Sequence, residues 1–366
     1  MKQMRNEILT QLYELQYLNQ NCNNLPEHIQ QLLNVQELDL DTGCYELPES
    51  IGQLKQLRKL NLRGSFSQLP TQIGELSQLQ ELKLYSCHNL TMLPESIGKL
   101  KQLKKLDLWS CHHITTLPEQ IGQLNQLQFL QLNACDNIKT IPQEIGKLEN
   151  LQYLSLMSCD NLSTIPETIG QLNCLQKLNI KDCNGLISLP ENICQLKQLE
   201  WLSLINCNHL TTLPEQIGKL SKLQWFGISN CNHLTMLPES IGELKQLQEL
   251  NLWHCESLIR LPEQISQLTQ LQELHLRNCN NLVALPQNIG ALPKLQILDL
   301  VGCDNLSRLP ESIKKSPKLQ ILGWENQTDE PVYPYQQIID ILQNIDPDEL
   351  SAKNALALVY RLKEML

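Results

Sequence analysis

Leu79–Gln102 reads LQELKLYSCHNLTMLPESIGKLKQ, and most of the chain is written in copies of it. Leucines fall at the first, fourth, sixth, twelfth and fifteenth places, Cys87 at the ninth, Pro94 at the sixteenth, Ile97 at the nineteenth and Leu100 at the twenty-second. Further copies open at Leu103, Leu127, Leu151, Leu175, Leu199, Leu223, Leu247, Leu271 and Leu295, each 24 residues after the last, and a partial copy opens at Leu319. Within one copy Leu82 and Leu84 lie two apart and point the same way from an extended segment, so Glu81, Lys83 and Tyr85 point the other way. Pro94 followed by Glu95 suits a short helical or irregular return with Pro94 at its first position. Seven buried aliphatic groups at about 2 kcal/mol each do not offset ordering 24 residues at about 1–2 kcal/mol apiece. A lone copy does not fold, and stacking is obligatory.

Leu103–Leu124, LKKLDLWSCHHITTLPEQIGQL, shows the consensus again, and the pattern resembles the leucine-rich repeats of bacterial proteins, some delivered into host cells, and of plant intracellular immune receptors. The resemblance implies an α/β fold: a curved leucine-rich repeat solenoid, a parallel β-sheet on its concave face and short helical or irregular segments on its convex face. One solenoid over 35–326 is expected. Residues 1–34 form an N-terminal cap with a degenerate repeat, and 327–366 form a C-terminal cap of two helices opened by a connector and by Asp346-Pro347-Asp348-Glu349. No phosphate-binding loop of the form G-x-x-x-x-G-K-[ST] is present, so the receptors' nucleotide-binding module is absent.

The formal charge is −10, from 29 basic and 39 acidic residues, which argues against a surface that tracks phosphates. No run approaches the length of a membrane span, and the N-terminal MKQMRNEILTQLYELQ has acids and glutamines where a secretory signal carries its apolar core. Ten of the 14 cysteines hold the ninth place of successive copies. Adjacent ones lie within disulfide reach in a parallel stack, but small buried thiols at a fixed core position read as a reduced structural ladder. That reading places the chain in a reducing compartment, the cytoplasm, with export into a host cell by a non-classical signal as the alternative.

In the implied geometry the third, fifth and seventh places of each copy face the concave side. The third place carries Phe129, Tyr153, Lys177, Trp201 and Trp225 in successive copies, and the seventh carries Tyr85, Trp109, Ile205 and Trp253 among others. Aromatic residues are 4% of the chain, yet four of its five tryptophans fall at these outward places. Trp and Tyr are the usual anchors of protein interfaces, although stacked aromatics also stabilise neighbouring strands. His275 and Arg277 belong to a mixed polar rim beyond the aromatic centre. The expectation is a non-enzymatic protein-binding module, monomeric, with its partner on the concave face and with no cofactor, metal, nucleic acid or membrane. The alternatives are an enzyme, or a subunit or adaptor of an enzyme or signalling complex, acting through the C-terminal helices, and a self-associating scaffold. His209 and His233, at the eleventh place where other copies carry Asn, read as turn residues rather than metal ligands.

Overall fold

The computed structural model describes residues 32–42, 46–316 and 318–324, so most of the expected N-terminal cap and the whole C-terminal cap lie outside it. One parallel sheet runs through all of it. Its strands are β1 (Glu37–Thr42), β2 (Lys59–Gly64), β3 (Glu81–Tyr85), β4 (Lys105–Trp109), β5 (Phe129–Asn133), β6 (Tyr153–Ser155), β7 (Lys177–Asn179), β8 (Trp201–Ser203), β9 (Trp225–Gly227), β10 (Glu249–Asn251), β11 (Glu273–His275), β12 (Ile297–Asp299) and β13 (Gln320–Leu322). Each pairs with its neighbours in chain order, giving an unclosed, curved sheet. The fourth-place residues align across the stack, Leu82 with Leu106 and Leu202 with Phe226, and all are fully buried. Main-chain bonding continues past the shorter strands: Ser158 N–H donates to the Lys181 carbonyl and Asn206 N–H to the Ser229 carbonyl. Seventh-place residues therefore still lie side by side where the strand proper has ended.

The chain leaves each of β3–β12 through a left-handed residue at the eighth place. Nine such residues that are not glycine, from Ser86 at φ 53° to Asn278 at φ 59°, occupy it, and Gly302 takes the same role at φ 73°. Asn and Asp tolerate this conformation best, and Asp182, Asn206, Asn230 and Asn278 are among those found there. The twist aims the ninth-place cysteine inward. In all ten copies its thiol donates to the main-chain carbonyl of the sixth-place residue one repeat earlier, at 2.8–3.8 Å, as from Cys183 to Leu156 and from Cys255 to Ile228. A small side chain with one weak donor satisfies a buried acceptor there without adding a second polar atom that needs a partner.

Burial pushes the thiols of Cys135, Cys207, Cys231 and Cys255 far above their ordinary value, Cys279 to about 12 and Cys303, nearer the end of the stack, to about 11. Twelve described cysteines are free, eleven of them buried and only Cys174 exposed. Because the thiolate is the reactive species, a soluble disulfide reagent should titrate Cys174 in the native protein and leave the eleven silent until denaturant is added. Finding half or more of the cysteines already paired in the denatured protein would overturn the reduced ladder.

On the convex side each Leu-Pro-Glu-x-Ile-Gly segment forms a 3-10 turn, such as Glu95–Lys99 or Glu119–Gln123. Here the structure corrects an expectation. Pro94 is not the first helical residue but the extended residue before it, at φ −68° and ψ 148°, and Ile97 N–H bonds its carbonyl. The glycine of the turn lets successive repeats approach: a Cβ on Gly170 would sit 2.2 Å from the carbonyl oxygen of Asn192 in the next repeat. Cys194 and Ser266 stand where that glycine falls in other copies, and each carries a Cβ. The turns that follow them are the ones cut to three residues, Ile217–Lys219 and Ile289–Ala291. Gln216 and Asn288, the residues such a Cβ would face, have left the helical region to cap those turns at φ −106° and −101°.

The ends differ in two further ways. The copies that open at Val35 and Leu57 are only 22 residues long, and in the second Phe66 fills the core between strand and turn with a fully buried ring. At the other end the return is α-helical, α1 (Glu311–Lys314), and β13 aligns Gln320 with Ile297. The 24-residue period expected Ile321 there, so the last strand sits one residue out of step, and a one-residue slip moves side chains to the opposite face.

Candidate partner-binding face

The third-place residues of β5–β9 form one row down the middle of the concave face, with Phe129, Tyr153, Lys177, Trp201 and Trp225 in direct register. Strand spacing of about 4.8 Å brings neighbouring rings face to face. Phe129 and Tyr153 stack with centroids 4.4 Å apart and planes within 2°. Trp201 and Trp225 stack at 3.7 Å and 8°. Lys105 places its ammonium 4.6 Å from the Phe129 centroid, a cation–π contact that closes the outer face of the first pair. Trp201 is 38% exposed, while Phe129, Tyr153 and Trp225 are half-buried.

The fifth place does not behave as the strand alternation alone predicts. Asp107, Ser155, Ser203 and Asp299 all point to the concave side by parity, yet all four are buried. The rings explain the middle of the row. A Cβ built on Gly227 would stand 2.2 Å from Cη2 of Trp225, so the indole lies down its own strand and covers the residue two places on. Small residues at the fifth place, Ser155, Ser203 and Gly227, sit beneath the aromatic row. Gly227 is the residue that sequence reading missed. Its signal was available, since it is the one glycine at the fifth place of the 24-residue copies and follows a tryptophan by two residues.

Toward the N-terminal side the face is a web of charges that satisfy one another. Lys83 pairs with Glu81 at 2.7 Å, and Lys105 reaches Glu81 at 3.6 Å and Asp107 at 3.7 Å. Burial raises the Asp107 carboxyl above its usual range against the pull of Lys105 and Lys83. The Tyr85 hydroxyl bonds Asp107 at 3.4 Å, and burial raises that phenol too. Trp109, beside Tyr85 in the seventh-place row, is 46% exposed. Toward the far end Trp253, 38% exposed, meets His275 edge-on at 5.5 Å and Arg277 at 5.8 Å from its centroid. Arg277 is held by the buried Asp299 at 3.2 Å, and His275 by Glu273 at 3.0 Å. Ile205 is half-buried at the seventh place beside the Trp201 strand. The expected residues thus fall into a central aromatic row, with Ile205 alongside, and two flanking clusters, Tyr85 with Trp109 and Trp253 with His275 and Arg277.

The eleventh-place histidines are turned to the main chain. His209 Nδ1 bonds the Asn184 carbonyl one repeat back, and His113 and His233 make the equivalent contacts to His88 and Asn208. Asn161 uses its amide the same way on Asp136, at 2.8 Å. Among the described residues no three His, Cys, Asp or Glu converge as metal ligands, and no helix is long and apolar enough to cross a membrane.

A family model described as a leucine-rich repeat region matches residues 1–109, 85–164, 143–225 and 200–284. The chain belongs to the leucine-rich repeat family. Among solved structures, a leucine-rich repeat protein of Leptospira interrogans is 29% identical, covering 81% of this chain and 98% of that one, with a TM-score of 0.37. An internalin from Listeria monocytogenes is 16% identical over 82% of this chain and 89% of that one, with a TM-score of 0.50. A chain of the Drosophila Toll–Spatzle complex is 20% identical over 84% of this chain and 44% of that one, with a TM-score of 0.56. The last two agree with the leucine-rich repeat fold and show the fold alone. A second family model, described as the DNA mismatch repair protein MutS C-terminal region, matches residues 330–365, beyond the described solenoid. Comparison with curated proteins finds no match.

Proposed function

We propose that this leucine-rich repeat chain is a non-enzymatic module that binds a partner protein on its concave face, centred on Phe129, Tyr153, Lys177, Trp201, Ile205 and Trp225. The carrying observation is that two ring stacks, Phe129 with Tyr153 and Trp201 with Trp225, stand on the outer surface of the sheet while the core beneath is filled by leucine and isoleucine. Contiguous exposed apolar surface of this kind marks interaction sites. Tyr85, Trp109, Trp253, His275 and Arg277 supply a rim in which Tyr85 bonds Asp107, His275 bonds Glu273 and Arg277 bonds Asp299, a polar border of the kind found around an apolar centre. The described free thiols fit a reducing compartment, and we place the protein's action there.

Photocrosslinking tests the location. A photoreactive phenylalanine analogue introduced at Ile205 should capture the partner, whereas the same group at Ile187, 58% exposed and on the connecting segment after the strand, should not. Equal capture from both positions, or capture from Ile187 alone, would move the site off the concave face.

A further inference from the structure

We infer that the centre of the concave face takes an acidic, apolar-rich peptide segment, whose carboxylates sit on Lys177 and Lys181 and whose apolar side chains lie against Tyr153, Met157, Trp201 and Ile205. This rests on the concave-face binding proposed above and specifies the chemistry of its partner. The distribution of charge carries it. The chain as a whole has a net charge of −10, yet the third, fifth and seventh places of β5–β9 hold no acidic residue at all. Their charged groups are Lys177, on β7 at the middle of the five, and Lys181, just past the end of that strand.

The state of those two lysines separates them from the other cations of the face. Lys83 and Lys105 are held by Glu81, and Arg277 by Asp299. Lys177 is exposed and makes no hydrogen bond or ion pair with any described residue, and Lys181 has only its neighbour Asp182 at 3.9 Å. Tyr153 and Trp201 flank Lys177 on the adjoining strands, in direct register and therefore about 10 Å apart across it. Tyr153 stacks on Phe129 and Trp201 on Trp225, so the faces of the two stacks that border the lysine are not covered by another ring. An ammonium between apolar walls attracts a carboxylate more strongly than one in open water, because a bound partner displaces the solvent that screens it. On the far side Glu249 and Glu273 repel a long polyanion, and on the near side Lys83 and Lys105 are already engaged by Glu81. Between the two sides there is room for a short acidic segment. Two lysines in an acidic protein do not make a surface that tracks a nucleic-acid backbone.

The test is selection of a displayed random 12-residue peptide library on the full-length protein, repeated on Lys177→Glu and on Trp201→Ala. The wild type should enrich peptides with Asp or Glu beside aliphatic or aromatic residues. The best of them, made synthetically, should lose at least tenfold in affinity on Lys177→Glu, with most of that loss regained when its acids are changed to lysine. Binding should also weaken as salt rises. Enriched peptides that are basic or uncharged but still require Trp201 would overturn the acidic partner while leaving the concave site standing. Binders indifferent to both substitutions, or no binders, would remove both readings. A single-stranded 12-nucleotide DNA bound more tightly than any selected peptide, and lost on Lys177→Glu, would replace the peptide with a nucleic acid.

Discussion

Leu202→Ala should lower the melting temperature by about 3–7 °C, taking the roughly 2–5 kcal/mol cost of truncating a buried leucine at about 1.3 °C per kcal/mol for a chain of this size. Leu202 is fully buried in the middle of β8, between Leu178 of β7 and Phe226 of β9. The site cannot collapse around the cavity. Its neighbours are the equivalent residues of two other repeats, each held in register by its own main-chain bonds. A stack transmits the damage to both sides, because each repeat is stabilised by its interfaces with the next. Loss of Leu202 therefore weakens two interfaces at once, and unfolding should begin near β8. Hydrogen exchange of the variant is expected to accelerate first across β7–β9. A melt within 1–2 °C of wild type, roughly the resolution of such a comparison at this size, would mean that the central repeats do not depend on one another.

The stack was legible because its cause is periodic. Leu82 and Leu84 share a face for the same reason that Leu202 and Leu204 do, and a rule read once applies in every copy. What was not legible depends on contacts between copies. That Cys183 donates to the Leu156 carbonyl 27 residues back follows from the left-handed Asp182, and no single repeat reveals that geometry. The three-residue turn at Ile217–Lys219 answers to Cys194 in the preceding repeat, so its explanation lies outside its own sequence. The fifth-place serines were expected in solvent because strand alternation fixes direction but not cover. Ser203 points outward and is nonetheless buried. The slip of β13 follows a helical return, Glu311–Lys314, where every earlier described return is 3-10, and the period alone carries no information about such a change.

Replacing Trp201 and Trp225 by alanine should leave the fold nearly intact and cost roughly 2 kcal/mol or more each in affinity for the partner, the range of interface hot spots. Their stacking at 3.7 Å contributes something to the sheet, since cross-strand aromatic pairs are worth about 0.2–1 kcal/mol. That is smaller than the cavity expected at Leu202, so the two kinds of variant should separate cleanly in a thermal melt. Gly227 makes the separation sharper. Gly227→Ala keeps both tryptophans but sets a methyl 2.2 Å from the Trp225 ring edge, and because Gly227 is not among the glycines at positive φ, its backbone accepts alanine without strain. The indole must lift away from the strand. Binding should fall with little change in melting temperature if the flat, stacked arrangement of the two rings is what the partner meets. The decisive comparison places thermal melts beside partner affinities for Trp201→Ala, Trp225→Ala, Gly227→Ala and Leu202→Ala. Tryptophan variants that melt as low as Leu202→Ala yet bind normally once folded would make the aromatic row a brace for the sheet, with the partner's site elsewhere on the solenoid.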